Sequence, residues 1–310
     1  AAHIISEIKK RWGELEETPG VFRYKLDVKK DKFLPGECRY YVQLNTERNV
    51  LRRAPQSIAS LRPNFDETKF NFNKIQAFEK ILEVRFRDFV VALIVNQSPL
   101  TKYHVLICPR VDANLPQILT RDGIEFAVSF LKALQDPLYR IGYNSPGAWA
   151  SVNHLHLHLI YLERELFVDF AELDNIKDNI FRLAPKYPIK AICFTLNDLN
   201  STKDEQILVD QVTNFVSSLC DDNIPHNLFF TLSKNSENDL ILKVFVFARS
   251  VFCGLKEYNF TINVGFCELS GYIPVGDENI YDSITEAAVV SRISDETGDI
   301  LRVLEDKVNQ

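Results

Sequence analysis

The sequence is poor in the features that mark a membrane span or a nucleic-acid surface. Its longest apolar run, Phe89 to Val95, is far shorter than the roughly 20 residues that cross a bilayer. The formal net charge is −6, so we expect no positively charged surface that attracts a phosphate backbone. These absences predict a protein with neither a membrane nor a nucleic acid as its partner.

No two cysteines in the sequence are spaced C-x-x-C. This absence argues against a zinc ribbon and against a dithiol redox motif. No secretory signal pattern is present, so we expect reduced thiols and a cytoplasmic location. The cysteines are Cys38, Cys108, Cys193, Cys220, Cys253 and Cys267.

The chain has 310 residues, 46% of them hydrophobic, which is enough for a sizeable core. We divide it into an N-terminal helix with an irregular arm (1–64), a domain that contains a histidine-rich segment (65–165) and a C-terminal α+β domain (166–310). The second half repeats the first half's mix of elements but lacks its histidine motif. Strands followed by one helix and further strands indicate an antiparallel α+β sheet, here followed by a second, similar half.

Hydrophobic periodicity predicts the individual elements. Helices are predicted over 3–17, over 120–135 with Thr120 as N-cap, over 202–219 and around 282–307. Residues 164–188 are predicted as helix or loop. Strands are predicted over 69–76, 83–95, 102–108, 139–143, 153–161, 191–195, 227–232, 239–248 and 260–269.

The most informative segment is NHLHLHLIY at 153–161, in which three histidines alternate with leucines. In a strand, side chains at alternate positions share one face. The segment therefore predicts that His154, His156 and His158 project from the same side of a sheet. Three polar rings on an otherwise apolar strand favour a binding or reactive site over plain burial.

Spacing alone leaves three interpretations of these histidines. Three neutral imidazoles can hold a catalytic zinc ion, although no carboxylate lies within the segment to orient the rings. A neutral imidazole can also attack phosphorus and form a covalent intermediate while its neighbours stabilise the charge. The third interpretation is a structural cluster on a wet surface.

The segment SVNHLHLH at 151–158 resembles the signature of the histidine-triad superfamily, and YHVLICPR at 103–110 resembles the strand that precedes that superfamily's helix. Further blocks are similar to the GDP-hexose phosphorylases, whose animal branch acts on GDP-D-glucose and whose plant branch acts on GDP-L-galactose. These blocks are FDETKFNFNK at 65–74, GYNSPG at 142–147, NIPHNL at 223–228 and CELSGY at 267–272. His158 occupies the third triad position as in the animal branch, whereas the plant enzymes have glutamine there.

The resemblance implies a nucleotidyltransferase with a histidine-triad-like antiparallel sheet. His156 would attack the α-phosphorus of GDP-D-glucose and expel glucose 1-phosphate, and inorganic phosphate would then release GDP. His154 would orient the His156 ring, and His158 would contact phosphate oxygens. This chemistry requires no metal or other cofactor. An oligomer is compatible with the sequence. The alternatives are a phosphorylase of GDP-L-galactose or another GDP-hexose, and a nucleotide-binding regulatory protein with slow hydrolysis.

The remaining candidates bind substrate or support the site. The resemblance further implies that Ser151 and Asn144 hydrogen-bond the phosphate or the leaving group. For His104 and His226 we favour structural roles, and Arg249 and Glu268 have two interpretations, an internal ion pair or contacts to the sugar or phosphate. The candidates for further substrate contacts are Asn153, Asn71 and Lys74.

Overall fold

A computed structural model describes residues 1–51, 54–253 and 262–310. Helices in this part of the chain are α1 (Ala2–Glu16), α2 (Thr46–Leu51), α3 (Arg121–Leu134), α4 (Phe167–Phe170), α5 (Thr202–Asp221), α6 (Phe266–Ser270), α7 (Glu278–Ser283), α8 (Glu286–Thr297) and α9 (Leu301–Val308). Short 3-10 turns lie at Phe72–Lys74, Ala77–Glu79 and Val111–Ala113.

The strands form two sheets. They are β1 (Lys30–Phe33), β2 (Tyr41–Leu44), β3 (Lys80–Phe86), β4 (Phe89–Val95), β5 (Val105–Pro109), β6 (Tyr139–Asn144), β7 (Leu157–Tyr161), β8 (Leu173–Lys177), β9 (Ile180–Leu183), β10 (Ile192–Leu196), β11 (His226–Lys234), β12 (Leu240–Ala248) and β13 (Tyr272–Val275). In the described residues, β1, β2 and β13 make a small three-stranded sheet, and the other strands make one ten-stranded antiparallel sheet.

The two halves of the large sheet have the same topology. From one edge the order is β3-β4-β5-β7-β6, and from the other edge it is β8-β9-β10-β12-β11. In each half the fourth strand in sequence lies innermost, and a long helix, α3 or α5, precedes it. The halves meet where β6 pairs with β11. The prediction of an α+β fold with a second, similar half is confirmed, whereas the boundaries at residues 64 and 165 stay predictions.

The large sheet has a helical face and a cleft face. Helices α1, α3, α5 and α9 cover the first face, and Leu155, Leu157 and Leu159 of the histidine segment point into that core. The small sheet and helices α4, α6, α7 and α8 cover much of the opposite face, where Ile160 is buried. Because side chains alternate along a strand, His158 must face this second side. The leucines therefore fix which way the histidines point.

Several element predictions are confirmed. Helix α3 has Thr120 as its N-cap, whose hydroxyl accepts a hydrogen bond from the Gly123 N–H at 3.3 Å. Helix α1, helix α5 and the three C-terminal helices also lie where periodicity predicted them. In the described part of the chain, no helix is long and apolar enough to span a membrane. No disulfide joins any of the described cysteines.

Other element predictions were wrong. The segment predicted as a strand over 69–76 contains instead the 3-10 turn at Phe72–Lys74, and 164–188 includes the strands β8 and β9. The histidine strand begins at Leu157, so His154 and His156 lie in the irregular segment before it. The prediction over 260–269 lies partly outside the described residues, and its described end forms helix α6.

Candidate active site

The histidines border a cleft of about 210 Å³ between the large sheet, the arm and the C-terminal part of the chain. Its wall combines residues from the histidine segment, from the arm and from α6. Residues that line it include His156, His158, His104, Asn144, Ser151, Trp149, Phe72, Asn45, Arg48, Arg23, Phe266 and Glu268. Residues from both ends of the sequence therefore complete the site.

His156 is held so that the position of its ring proton is defined. Nδ1 lies 2.7 Å from the carbonyl oxygen of His154, which can only accept a hydrogen bond. In the neutral ring, Nδ1 therefore carries the proton and Nε2 carries the lone pair. The side chain of Gln117 accepts from the His156 N–H at 2.9 Å and donates to its carbonyl at 3.0 Å. Gln117, which the sequence analysis missed, fixes the backbone that carries the ring.

His154 is bound on both ring nitrogens by backbone groups. Its Nδ1 accepts from the Phe72 N–H at 3.0 Å, and its Nε2–H donates to the Val111 carbonyl at 3.0 Å. Burial lowers the pKa of His154, which favours the neutral ring that this arrangement needs. The Phe72 ring also stacks on it, with centroids 5.2 Å apart. His154 is therefore positioned to support the carbonyl that orients His156.

The tautomer of His158 is set by a fourth histidine. His104 accepts from the Leu100 N–H at its Nδ1, 2.9 Å away, so its neutral ring carries a proton on Nε2. Burial lowers the pKa of His104 to about 3, which keeps the ring neutral. Its Nε2 lies 3.0 Å from Nδ1 of His158. His158 thus accepts at Nδ1 and carries its own proton on Nε2.

Of the other predicted substrate contacts, the structure brings Asn144 and Ser151 to the cleft. Asn71 instead caps the 3-10 turn by accepting from the Asn73 N–H at 3.1 Å. Lys74 Nζ donates to the Lys69 carbonyl at 2.9 Å. Asn153 donates to the Asn64 carbonyl at 2.8 Å and accepts from the Gln117 N–H at 3.0 Å. Asn71, Lys74 and Asn153 are thus engaged with nearby backbone and do not line the cleft.

Arg249 and Glu268, for which the sequence left two interpretations, occupy different positions in the structure. Arg249 is fully buried and forms an ion pair with Glu296 at 3.3 Å. Glu268 lies at the cleft, where its carboxylate accepts from the Gly265 N–H at 2.9 Å. His226 lies in the core with its Nδ1–H donating to the Ile224 carbonyl, and burial lowers its pKa to about 4.

The sequence did not identify the arginine side chains that line the cleft. Arg23 and Arg48 line it, and both come from the arm, which carries no recognisable motif. Burial, together with the charge of Arg48, lowers the pKa of His104. Among the described residues, no group of three or more His, Cys, Asp or Glu side chains is arranged to hold a metal ion. The backbone contacts of His154 also leave the three triad rings unable to act together as zinc ligands.

Comparisons with known proteins agree with this architecture. A zebrafish (Danio rerio) protein named GDP-D-glucose phosphorylase 1 is 35% identical over 296 residues, covering 91% of this chain and 83% of its own. The human protein of that name is 34% identical over 290 residues, covering 89% and 75%. GDP-L-galactose phosphorylase 1 of Arabidopsis thaliana is 28% identical over 233 residues, covering 68% and 52%.

The fold also occurs in a solved structure, that of yeast Ap4A phosphorylase Apa2 in complex with Ap4A. The TM-score is 0.67 and the alignment covers 95% of this chain and 97% of that one, at 15% sequence identity. Residues 4–160 match the N-terminal domain of GDPGP1-like proteins, and residues 165–297 match their C-terminal domain. The chain belongs to the GDPGP1-like family.

Proposed function

We propose that this protein catalyses the phosphorolysis of GDP-D-glucose to GDP and glucose 1-phosphate, with His156 as the nucleophile. The observation that carries the proposal is the 2.7 Å hydrogen bond between His156 Nδ1 and the His154 carbonyl. It places the lone pair of a neutral imidazole on Nε2, beside the cleft. The family membership and the names of the relatives support the choice of a GDP-hexose as substrate.

The reaction takes place as two displacements at one phosphorus atom. His156 Nε2 attacks the α-phosphorus, a P–N bond forms, and the bond from that phosphorus to the bridging oxygen breaks. Glucose 1-phosphate leaves with the bridging oxygen. An oxygen of inorganic phosphate then attacks the same phosphorus, the P–N bond breaks, and GDP is released with the His156 lone pair restored. Such double displacement gives ping-pong kinetics.

Neighbouring groups stabilise the negative charge that develops on the phosphoryl oxygens. His158 contributes its Nε2–H, because His104 occupies its Nδ1. Asn144 and Ser151 add polar groups at the same cleft, and Arg48 adds positive charge. Donors fixed before the reaction are effective because they need not reorganise as charge builds up.

GDP-L-galactose is the second substrate to test, because the plant relative acts on it by name. A panel of GDP-glucose, GDP-L-galactose, GDP-mannose and UDP-glucose, each with phosphate, measures the preference through kcat/KM. GDP-glucose is expected to be turned over fastest. We further propose the cytoplasm as the location.

The direct test is His156→Ala, assayed for glucose 1-phosphate release from GDP-glucose and phosphate. Because the covalent route disappears, we expect a loss of about 1,000-fold or more in kcat. His3→Ala, which changes an exposed histidine of α1, is the matched control and should retain activity. Near-normal release by His156→Ala would reject the proposal. Tight binding of GDP-glucose by the wild-type protein without turnover would instead favour a regulatory nucleotide-binding protein.

A further inference from the structure

Asn144 reaches the cleft from the end of β6, and its amide is held from behind. Its Oδ1 accepts from the Phe266 N–H at 3.0 Å and from Nδ2 of Asn227 at 2.6 Å. With Oδ1 occupied by these two donors, Nδ2 is the end of the amide that can serve a group bound in the cleft. Asn144 is therefore oriented as a hydrogen-bond donor toward the substrate side.

The orientation of Asn227 is in turn dictated by Arg249. Asn227 is fully buried, and its Oδ1 lies 3.0 Å from Arg249 Nε. A guanidinium group has donors only, so Asn227 must present its oxygen to Arg249 and its NH₂ group to the other side. That NH₂ group donates to Asn144 and also to the Ala148 carbonyl at 2.9 Å. The donors and acceptors of Arg249, Asn227 and Asn144 thus permit one orientation of the two asparagine amides.

Glu296 of α8 holds this arrangement in place. Its carboxylate lies 3.3 Å from Nη1 of Arg249 and accepts from Trp149 Nε1 at 2.7 Å and from the Val264 N–H at 3.2 Å. Trp149 itself lines the cleft. A buried charge pair of this kind costs desolvation energy, so stability alone does not explain its presence. Its contacts connect helix α8 to the back of the cleft.

We propose that Asn227, locked by Arg249 and Glu296, is a positioning residue that fixes the amide of Asn144 with its NH₂ group toward the transferring phosphoryl group. The inference rests on the proposed phosphorolysis, since the amide's role is to donate to a phosphoryl oxygen. Were the amide reversed, its oxygen would face the negative charge of the transition state. Correct orientation therefore matters most for kcat.

Two substitutions separate positioning from simple structural support. Asn227→Asp keeps the side-chain volume and the acceptor for Arg249, but it turns an oxygen toward Oδ1 of Asn144. Repulsion between the two oxygens favours the reversed amide of Asn144. Asn227→Ala leaves a cavity and an unpaired Arg249 Nε, yet the Phe266 N–H still orients Asn144. A purely structural role makes the Ala variant the worse enzyme, whereas positioning makes the Asp variant the worse one.

The experiment measures kcat and KM for GDP-glucose in wild type and both variants, with thermal unfolding alongside. We expect kcat to fall about 100-fold in Asn227→Asp and about tenfold in Asn227→Ala, with KM little changed, on the scale of losing one transition-state donor. Asn179→Asp is the matched control. It changes a similar amide, which is bonded to the Thr195 carbonyl at 3.0 Å and to Gln211 at 2.8 Å near the β8 edge of the large sheet. The kcat of this variant should stay within about twofold of wild type.

A double substitution tests the route through Asn144. In an Asn144→Ala background, adding Asn227→Asp should lower kcat by less than about threefold, because no amide remains to be reversed. The inference is overturned if Asn227→Asp has a kcat equal to or higher than that of Asn227→Ala, or if Asn227→Asp changes KM alone. It is also overturned if the fold-losses in kcat of Asn144→Ala and Asn227→Asp multiply in the double variant. The proposed function is tested separately, by comparing wild type with His156→Ala. If the wild type is active and His156→Ala is inactive, the proposed function holds, and the Asn227 variants then test this inference alone.

Discussion

Nε2 of His104 lies 3.0 Å from Nδ1 of His158, and this contact makes the fourth histidine part of the site's hydrogen bonding. Because the Leu100 N–H occupies the other nitrogen of His104, the proton between the two rings belongs to His104. His158 therefore carries its proton on Nε2, the ring nitrogen that does not contact His104. A buried ring outside the triad thus decides which nitrogen of a triad member can donate to substrate.

Replacing His104 by phenylalanine is the first test of this relationship. His104→Phe keeps a ring of similar shape but removes the donor to His158, so both tautomers of His158 become populated. We expect kcat to fall about 10- to 100-fold while the fold is retained. Steady-state kinetics and circular dichroism check this. His226→Phe, which changes another buried histidine, should alter kcat by less than about threefold, and equal losses in both variants would contradict the role of His104.

Gly142 provides a steric test of the cleft. A Cβ atom at this position would lie 2.2 Å from Cδ2 of Phe266, whose ring centroid is 5.1 Å from that of His158. Gly142→Ala therefore has to displace Phe266, and with it the N–H that orients Asn144. We expect kcat/KM to fall about tenfold or more.

Gly13→Ala is the matched control, because nothing lies within 4 Å of the Cβ atom it adds on helix α1. It should leave activity unchanged and raise stability by up to about 1 kcal/mol. Wild-type kinetics for Gly142→Ala would show that Phe266 can move without consequence for the reaction.

Glu296 is expected to contribute strongly to stability. Glu296→Ala leaves Arg249 buried without its ion-pair partner and removes the acceptor of Trp149 Nε1. Breaking a buried pair from one side costs about 3–5 kcal/mol in the free energy of unfolding, measured here by urea denaturation. Glu305→Ala breaks the more exposed ion pair with Arg182 and should cost less than about 1 kcal/mol. Similar costs for the two variants would contradict this account of Glu296.

Buried neutral histidines predict how stability depends on pH. Burial lowers the pKa of His104 to about 3 and that of His226 to about 4, whereas an unfolded histidine titrates near 6.5. As pH falls below about 6.5, the unfolded chain binds protons that the folded chain does not. Stability therefore declines toward pH 4, by about 1.4 kcal/mol per pH unit for each ring.

Urea denaturation of wild type and His226→Phe between pH 7.5 and 4.5 checks this expectation. The difference in unfolding free energy between the two proteins cancels the contribution of the carboxylates. We expect the slope of the variant to be smaller by about 1.4 kcal/mol per pH unit below pH 6. Parallel slopes would show that His226 gains its proton in the folded protein.

The sequence predicted much of the large sheet because its signals are local. Helix α3 follows from the period of its apolar residues and from the cap at Thr120. The direction of the histidines follows from the leucines between them, even though the regular strand begins only at Leu157. Neither feature depends on distant partners, which is why periodicity sufficed.

The rest depends on contacts between distant parts of the chain. Strand β2 of the arm pairs with β13, for example Tyr41 with Tyr272, more than 200 residues later in the sequence. No local pattern marks either strand. Asn71 and Lys74 were predicted to reach the substrate, and the structure shows that each also bonds a nearby backbone group. Residue type alone does not distinguish a side chain that caps a turn from one that binds a ligand.

The most direct measurement of the central claim is to find the covalent bond at His156. The wild-type protein is mixed with GDP-glucose without phosphate, quenched without acid, digested and mapped by mass spectrometry. The account expects an added mass of GMP on the peptide that contains His156, absent from His156→Ala and lost when phosphate is added. Turnover without this adduct, or an adduct on another residue, would contradict it.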